Sequence, residues 1–253
     1  MKALHMVSAW SSSLQFLLGQ VKTDEKSNEI TAIPQLLKLL DLEDKVITID
    51  AMGCQTAIAE QIIEAKGHYI FALKGNQETI HNEVKAAFES TQEQDKNIDV
   101  ANIKVEEAFE ANKGHGRFEE RTARVIANPN WLKKDKKWGS VKSIIEIISK
   151  RIVGTKTTTE KRYYLSDMKA GAEEFLRWIR SHWGIESFHW TMDVSFREDD
   201  FQGHTGNLAE NFSLLQRLTL MLLKQENSLK KSIPQKRNRA GWNNEYLLKI
   251  LGA

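Results

Sequence analysis

KVITIDAMGCQ, residues Lys45 to Gln55, decides how the rest of the chain is read. Val46, Ile47, Thr48 and Ile49 make a short apolar run rich in β-branched residues, the pattern of a buried strand. The run ends on Asp50, followed by the small or flexible residues Ala51, Met52 and Gly53. A carboxylate at the mouth of an apolar strand is costly unless it is paired or hydrogen-bonded. Two readings stand open: Asp50 caps a helix, or it holds a metal together with partners from elsewhere in the chain.

Outward from this stretch the pattern alternates. Upstream, ALHMVSAW and LQFLLGQVK read as two short strands with SSS as their turn. EITAIPQLLKLLDL has apolar residues at helical spacing, with Pro34 near its start, where proline is tolerated. Downstream, TAIAEQIIEAKG reads as a helix closed by Gly67, and HYIFALKG as a strand ending at Lys74 and Gly75. The order strand, strand, helix, strand, helix, strand predicts an α/β sheet with at least one parallel pair. QETIHNEVKAAFES follows as an amphipathic helix. From about Thr91 to Lys169 the character changes: TARVIAN, SIIEIISKRIV and KRYYLSD read as strands, a β-rich insertion. AGAEEFLRWIRSHWGIESFHWTMDVSF and NLAENFSLLQRLTLMLLKQE then read as two helices joined by REDDFQGHTGN.

A chain of 253 residues, 41% hydrophobic and 28% charged, has the composition of a globular protein of one or two domains. No apolar run approaches the length of a membrane span, and the N-terminus carries no secretory signal. The single cysteine, Cys54, excludes an internal disulfide framework and fits the cytoplasm. Net charge is only +2, yet basic charge is local. It gathers in KKDKK, Lys133–Lys137, and in KKSIPQKRNR, Lys230 to Arg239, a stretch without an acidic residue. Such clusters suit phosphate backbones, and they also suit a solvated surface.

The first of the two long helices carries His182, Glu186, His189 and Asp193, spaced four, three and four apart, which places them on one helical face. Three readings fit this stripe: a solvated face, a zinc site of two histidines and a carboxylate, or the carboxylate-bearing helix of a magnesium site. Zinc is disfavoured because the HExxH spacing is absent. Magnesium prefers few protein carboxylates and room for water and phosphate oxygens, and Asp50 offers a second carboxylate at a strand end. Lys74, Asn76 and Gln77 in LKGNQ follow a strand end on the same predicted edge as Asp50, where open α/β sheets place their binding crevice. There they could meet phosphate or a base, while Asn76 is also a good helix N-cap. NKGHGRFEER places His115 and Arg117 in a glycine-flanked segment that fits either a phosphate-approaching loop or an ordinary hairpin turn.

Together, VSAW…LGQVKTDEKSNEITAIPQLLKLLDLEDKVITIDAMGCQ…IAEQI…YIFALKGNQ, then GHGRFEER, then IRSHWGIESFHWTMDVSFRED and NLAENFSLLQRL, resemble one family. It is the DDE-type insertion-sequence transposases of the ISAs branch, which include the H-repeat-associated proteins. The resemblance runs in order from Leu4 to about Lys224. It implies an α/β fold with a ribonuclease H-like core interrupted by a β-rich insertion, a helical C-terminus, and an Asp-Asp-Glu triad binding two Mg²⁺. Asp50 matches the second acid and Glu186 the third. His182 and Trp183 fall where relatives often carry Arg and Trp; Asp193 falls where some carry Lys.

The first acid would lie on a strand preceding LHMVSAW, and no acid stands upstream of Leu4. The sequence is therefore expected to be N-terminally truncated. The implied organisation is a first part of the core at 1–90, the insertion at 91–169, the helical second part of the core at 170–224 and a basic tail at 225–253. The implied activity is metal-dependent phosphodiester cleavage and strand transfer at insertion-element ends, impaired by the missing first Asp. Double-stranded DNA, as element ends and target, is the implied partner, with a homodimer as the active form. Lys74, Asn76, Gln77, His115, Arg117, His182, Lys230, Lys231, Arg237 and Arg239 are the candidate DNA contacts. The alternative is a non-catalytic remnant acting at most as a DNA-binding fragment.

Overall fold

Two apolar runs set the frame. Val46–Ile49 (β3) and His68–Leu73 (β4) pair in parallel, Val46 opposite His68 and Ile49 opposite Phe71. The helix Thr56–Glu64 (α2) forms the crossover between them, as a parallel pair requires. This is a computed structural model that describes residues 6–23, 29–91, 103–114, 116–132, 137–201, 203 and 206–252. The chain divides into two units, Asp41–His182 and Met1–Leu40 with Trp183–Ala253. The architecture is mixed α/β with a helical C-terminal part, consistent with a ribonuclease H-like core.

In the unit Asp41–His182, β3 and β4 open a six-stranded sheet. The other strands are Val105–Gly114 (β5), Arg117–Ala127 (β6), Ser143–Val153 (β7) and Lys156–Ser166 (β8), in the order β3-β4-β8-β7-β6-β5. The antiparallel meander β5 to β8 is continuous with the parallel pair, because β8 lies along β4 with Leu73 opposite Tyr163. Consecutive strand residues face opposite ways, and Tyr163 and Tyr164 show it. Tyr164 joins the cluster of Ala123, Val125, Ile145 and Ile147 that receives Ala172, Phe175, Leu176 and Ile179 of the helix Ala172–Thr191 (α4). Those four helical positions are one apolar stripe at spacings of three, four and seven. Tyr163 meets the helix Glu78–Ser90 (α3), stacking on Phe88 at 6.2 Å.

A charged row crosses the α3 face of this sheet. Glu107, Arg124, Glu146 and Tyr163 stand directly opposite one another on β5, β6, β7 and β8. Arg124 donates to Glu107 at 2.9 Å, to Glu146 at 2.7 Å and to Thr91 Oγ1 at 2.8 Å. Glu146 is fully buried, and its carboxylate is paired with Arg124 and, at 3.5 Å, with Lys161.

In the other unit, Met6–Ser11 (β1) and Phe16–Lys22 (β2) form their own two-stranded antiparallel sheet, with a bulge between Ala9 and Trp10. The helix Glu29–Leu37 (α1) packs on it. Gly19 packs closely there, since a Cβ would sit 3.3 Å from the Leu36 side chain. After α4 come a π-helical turn, Met192–Phe196, and the helices Leu208–Gln225 (α5), Ile233–Trp242 (α6) and Asn244–Leu251 (α7). Phe188, Met192, Phe196, Leu220, Leu223, Tyr246 and Ile250 share one core, so the basic C-terminal stretch is folded helix and not a free tail.

Several sequence expectations change. Pro34 lies inside α1, not at its start. At the end of α2 the left-handed residue is Lys66, at φ 58°, while Gly67 donates to Ile62 O at 2.9 Å. Gly67 is needed for space: a Cβ would sit 2.9 Å from Leu42 O. β5 was not foreseen, because VEEAFEANKG buries only Ala108 and carries charge at Glu106, Glu107, Glu110 and Lys113.

Candidate functional site

Asp50 stands at the C-terminal end of β3, where the chain leaves the sheet, and is exposed. Its Oδ1 accepts from the backbone N–H of Met52 at 3.1 Å and of Gly53 at 3.3 Å. Asp50 therefore does not cap α2, whose N-cap position is Gln55. It caps its own loop, an arrangement that Asp forms readily two residues on. Oδ2 has no hydrogen-bond or ion-pair partner among the described residues.

The loop is tied down almost group by group. Cys54 N–H donates to Ala51 O at 3.2 Å and Gln55 N–H to Gly53 O at 2.9 Å. The Asn76 side-chain amide donates to Ala51 O at 2.6 Å, and that of Gln77 to Cys54 O at 2.9 Å. Both amides come from the short 3₁₀ turn Gly75–Gln77 after β4, the strand beside β3. The expected N-cap role of Asn76 is not observed; Gln77 occupies that position and its side chain makes no cap bond. Cys54 is fully buried, and burial pushes its thiol up to about 12, which makes it inert as a nucleophile. Lys74 is exposed at the start of the same turn, and its charge helps hold the Glu160 carboxyl low, after the larger effect of the Arg162 hydrogen bond.

Thr48 went unnoticed in the sequence. It lies two residues before Asp50, on the same face of β3, and its Oγ1 is 2.9 Å from His182 Nδ1 on α4. The period-two spacing from Asp50 was the signal that could have found it. Glu186, one turn beyond His182 on α4, is exposed and belongs to the other unit. His189 is held toward its neutral form, first by burial and then by the Arg217 guanidinium. Arg217 itself donates to Glu198 at 2.8 Å, to Ser213 at 3.0 Å and to Ser8 at 2.9 Å. Asp193 falls in the π-helical turn, so the α-helical phase that aligned it with the other three residues ends before it is reached.

Of the remaining candidates, His115 and Lys133–Lys136 lie outside the described residues. Arg117 opens β6 after a hairpin turn whose Gly116 has φ 73°, and it pairs with Glu119 at 2.9 Å. Lys230, Lys231, Arg237 and Arg239 are exposed. Lys236, in the same basic run, is buried and donates to the carbonyls of Leu223 and Glu226.

For a divalent cation, Asp50 Oδ2 is a suitable hard oxygen. Among the described residues, no three His, Cys, Asp or Glu side chains gather as a metal-holding group. No helix is long and apolar enough to cross a membrane, among the described residues.

A family model described as a transposase DDE domain matches residues 1–222. A putative transposase, YncI of Escherichia coli O157:H7, is 39% identical over 99% of this chain and 64% of its own length. YbfL of Escherichia coli K12, named only as a putative protein, is 37% identical over 98% of this chain and 66% of its own. The H repeat-associated putative transposase YhhI of the same strain is 36% identical over 98% and 66% respectively. The chain thus spans just under two thirds of the length of these relatives.

Proposed function

The chain belongs to the transposase DDE domain family, and from that premise we propose that it is a DNA transposase polypeptide acting on insertion-element ends by phosphodiester cleavage and strand transfer. Asp50 and Glu186 are the carboxylates proposed to hold Mg²⁺, two ions in the intact reaction. When bound, the metal supplies charge stabilisation to the reacting phosphodiester oxygens. The chain's own part is to present hard oxygens, Asp50 Oδ2 having no partner among the described residues, and to grip the backbone. Asp50 Oδ2, left open at the mouth of β3 while Oδ1 is occupied by its loop, is the observation that carries this reading. Glu186 lies in the α-helical part of α4 while Asp193 lies in the π-helical turn, which supports the choice of Glu186 over Asp193.

Double-stranded DNA, as element ends and target, is the proposed partner, with a homodimer as the active form and the cytoplasm as the location. Lys74, Arg117, His182, Lys230, Lys231, Arg237 and Arg239 are proposed as contacts, the lysines and arginines on phosphates.

The test is a supercoiled plasmid carrying the flanks of the coding locus, with Mg²⁺ or Mn²⁺. Nicking that is lost in Asp50→Asn and in Glu186→Gln, at unchanged gel-shift affinity, supports the reading. Binding without any nicking favours the alternative of a DNA-binding remnant. Neither binding nor nicking overturns both.

A further inference from the structure

Resting on the reading of Asp50 as a metal-holding carboxylate, we propose that Asn76 and Gln77 are positioning residues that clamp the Asp50 loop through their side-chain amides. The two parallel strands β3 and β4 end side by side, and each continues into a loop. The β3 loop carries Asp50; the β4 loop carries the amides. Asn76 Nδ2 reaches Ala51 O at 2.6 Å, and Gln77 Nε2 reaches Cys54 O at 2.9 Å. These carbonyls flank Met52 and Gly53, the two residues whose N–H groups hold Asp50 Oδ1.

The two sets of bonds form one device. The amides fix both ends of the loop, and the fixed loop presents its N–H groups to one oxygen of Asp50. That leaves the carboxylate in a single orientation, with its other oxygen turned from the internal bonds. Without the amides, Ala51 O would keep only the Cys54 N–H and Cys54 O would lose its side-chain donor. The loop's other bonds are internal to it, Met52 and Gly53 N–H to Asp50 Oδ1, Cys54 N–H to Ala51 O, Gln55 N–H to Gly53 O and Gln55 Nε2 to Met52 O, and do not tie it to the neighbouring strand's loop. Replacing a backbone carbonyl's partner by water leaves the loop free to sample other turns, and with it the carboxylate. The geometry also explains why the amides are one residue apart. Consecutive residues of a tight 3₁₀ turn project in different directions, so one reaches the start of the neighbouring loop and the other its end.

Hydrogen exchange on the free 253-residue chain reads the clamp without any need for catalysis. In Asn76→Asp with Gln77→Glu, which keep shape and remove the donors, the amides of Met52, Gly53 and Cys54 should exchange roughly tenfold faster, the scale of one or two lost hydrogen bonds. Amides of β4 and α2 should be unchanged, which excludes global unfolding. The carboxyl ¹³C signal of Asp50 should move while that of Asp41 stays fixed, a signature that a packing role for the amides would not produce. Alanine variants at both positions should behave in the same way. Unchanged exchange at 52–54, or a still Asp50 signal, would overturn the proposal. So would a loss of DNA affinity with unchanged exchange, which would make the two amides direct DNA contacts. Asp50→Asn in the plasmid assay reports separately on the catalytic reading, so the two ideas fail independently.

Discussion

Thr48 Oγ1 and His182 Nδ1 lie 2.9 Å apart, joining β3 to α4 across 134 residues of sequence. The bond sits two residues before Asp50 on the strand and ties β3 to the first part of α4 within the unit Asp41–His182. It is part-buried, so its loss should be felt. Thr48→Val, nearly isosteric, should lower stability by about 1 kcal/mol, and so should His182→Ala. The double variant should cost clearly less than the sum, by roughly 0.5 kcal/mol or more, because both remove the same bond. Urea melts of the four proteins measure this; strict additivity would show the bond to be energetically idle.

Carboxylates that hold a divalent ion can be mapped without turnover. Fe²⁺ with ascorbate and peroxide should cut the backbone near residues 50–53 and near 186. Asp50→Ala should remove the cuts at both places if the two residues share ions. Excess Mg²⁺ should protect both. Cuts near 193 that depend on Asp193 would move the assignment to the other acid of the helix.

DNA affinity should fall steeply with salt, with a log–log slope of about −0.9 per phosphate neutralised. Alanine at Lys230, Lys231, Arg237 or Arg239, all exposed, should each reduce that slope by about one at most. Lys236→Ala should behave differently. Its ammonium is buried against the carbonyls of Leu223 and Glu226, so its loss should lower the melting temperature and leave the salt slope unchanged. Gel shifts at several salt concentrations, beside thermal melts, separate the two effects.

The C-terminal helices should loosen in acid. The Ser228 hydroxyl, followed by the Tyr246 hydroxyl and the backbone N–H groups of Ser228 and Leu229, holds the Glu226 carboxyl down to about 2. A carboxyl lowered on folding contributes stability above its ordinary value of about 4.3, and that contribution is lost as pH falls from there toward 2. Tyr246 fluorescence should report a transition in that window, and Glu226→Gln should remove it. A transition of the same size in Glu226→Gln would assign it to other groups.

The parallel pair β3 and β4 was legible because each is a short run of apolar residues bounded by polar or turn residues, and β7 was legible for the same reason; of β6 and β8 only the C-terminal halves, TARVIAN and KRYYLSD, stood out, because their first halves are polar. β5 was not, since an edge strand with one covered position has no apolar alternation to show. Asp50 stood out because its strand is apolar; its loop partners did not. The acceptors of Asn76 and Gln77 are backbone carbonyls 25 and 23 residues away, and a carbonyl leaves no mark in a sequence. Lys236 looked like its neighbours in a basic run, and only the packing of α6 against the end of α5 distinguishes it. Gly67 was read as a helix stop, whereas its necessity lies in the nearness of Leu42 and Ile47, a matter of space that local pattern cannot express.

The row Glu107, Arg124, Glu146 and Tyr163 acts as a vernier for the sheet. A one-residue slip of a strand exchanges its two faces, and buried apolar side chains already forbid that. A slip of two keeps every face and would pass the hydrophobic test, since β7 offers isoleucine at 144, 145, 147 and 148. It would, however, bring Ile144 or Ile148 opposite Arg124 and strand a buried guanidinium against hydrocarbon. One line of charge thus distinguishes the single correct alignment from its even-numbered neighbours, and four long strands can find their pairing from a mark only one residue wide.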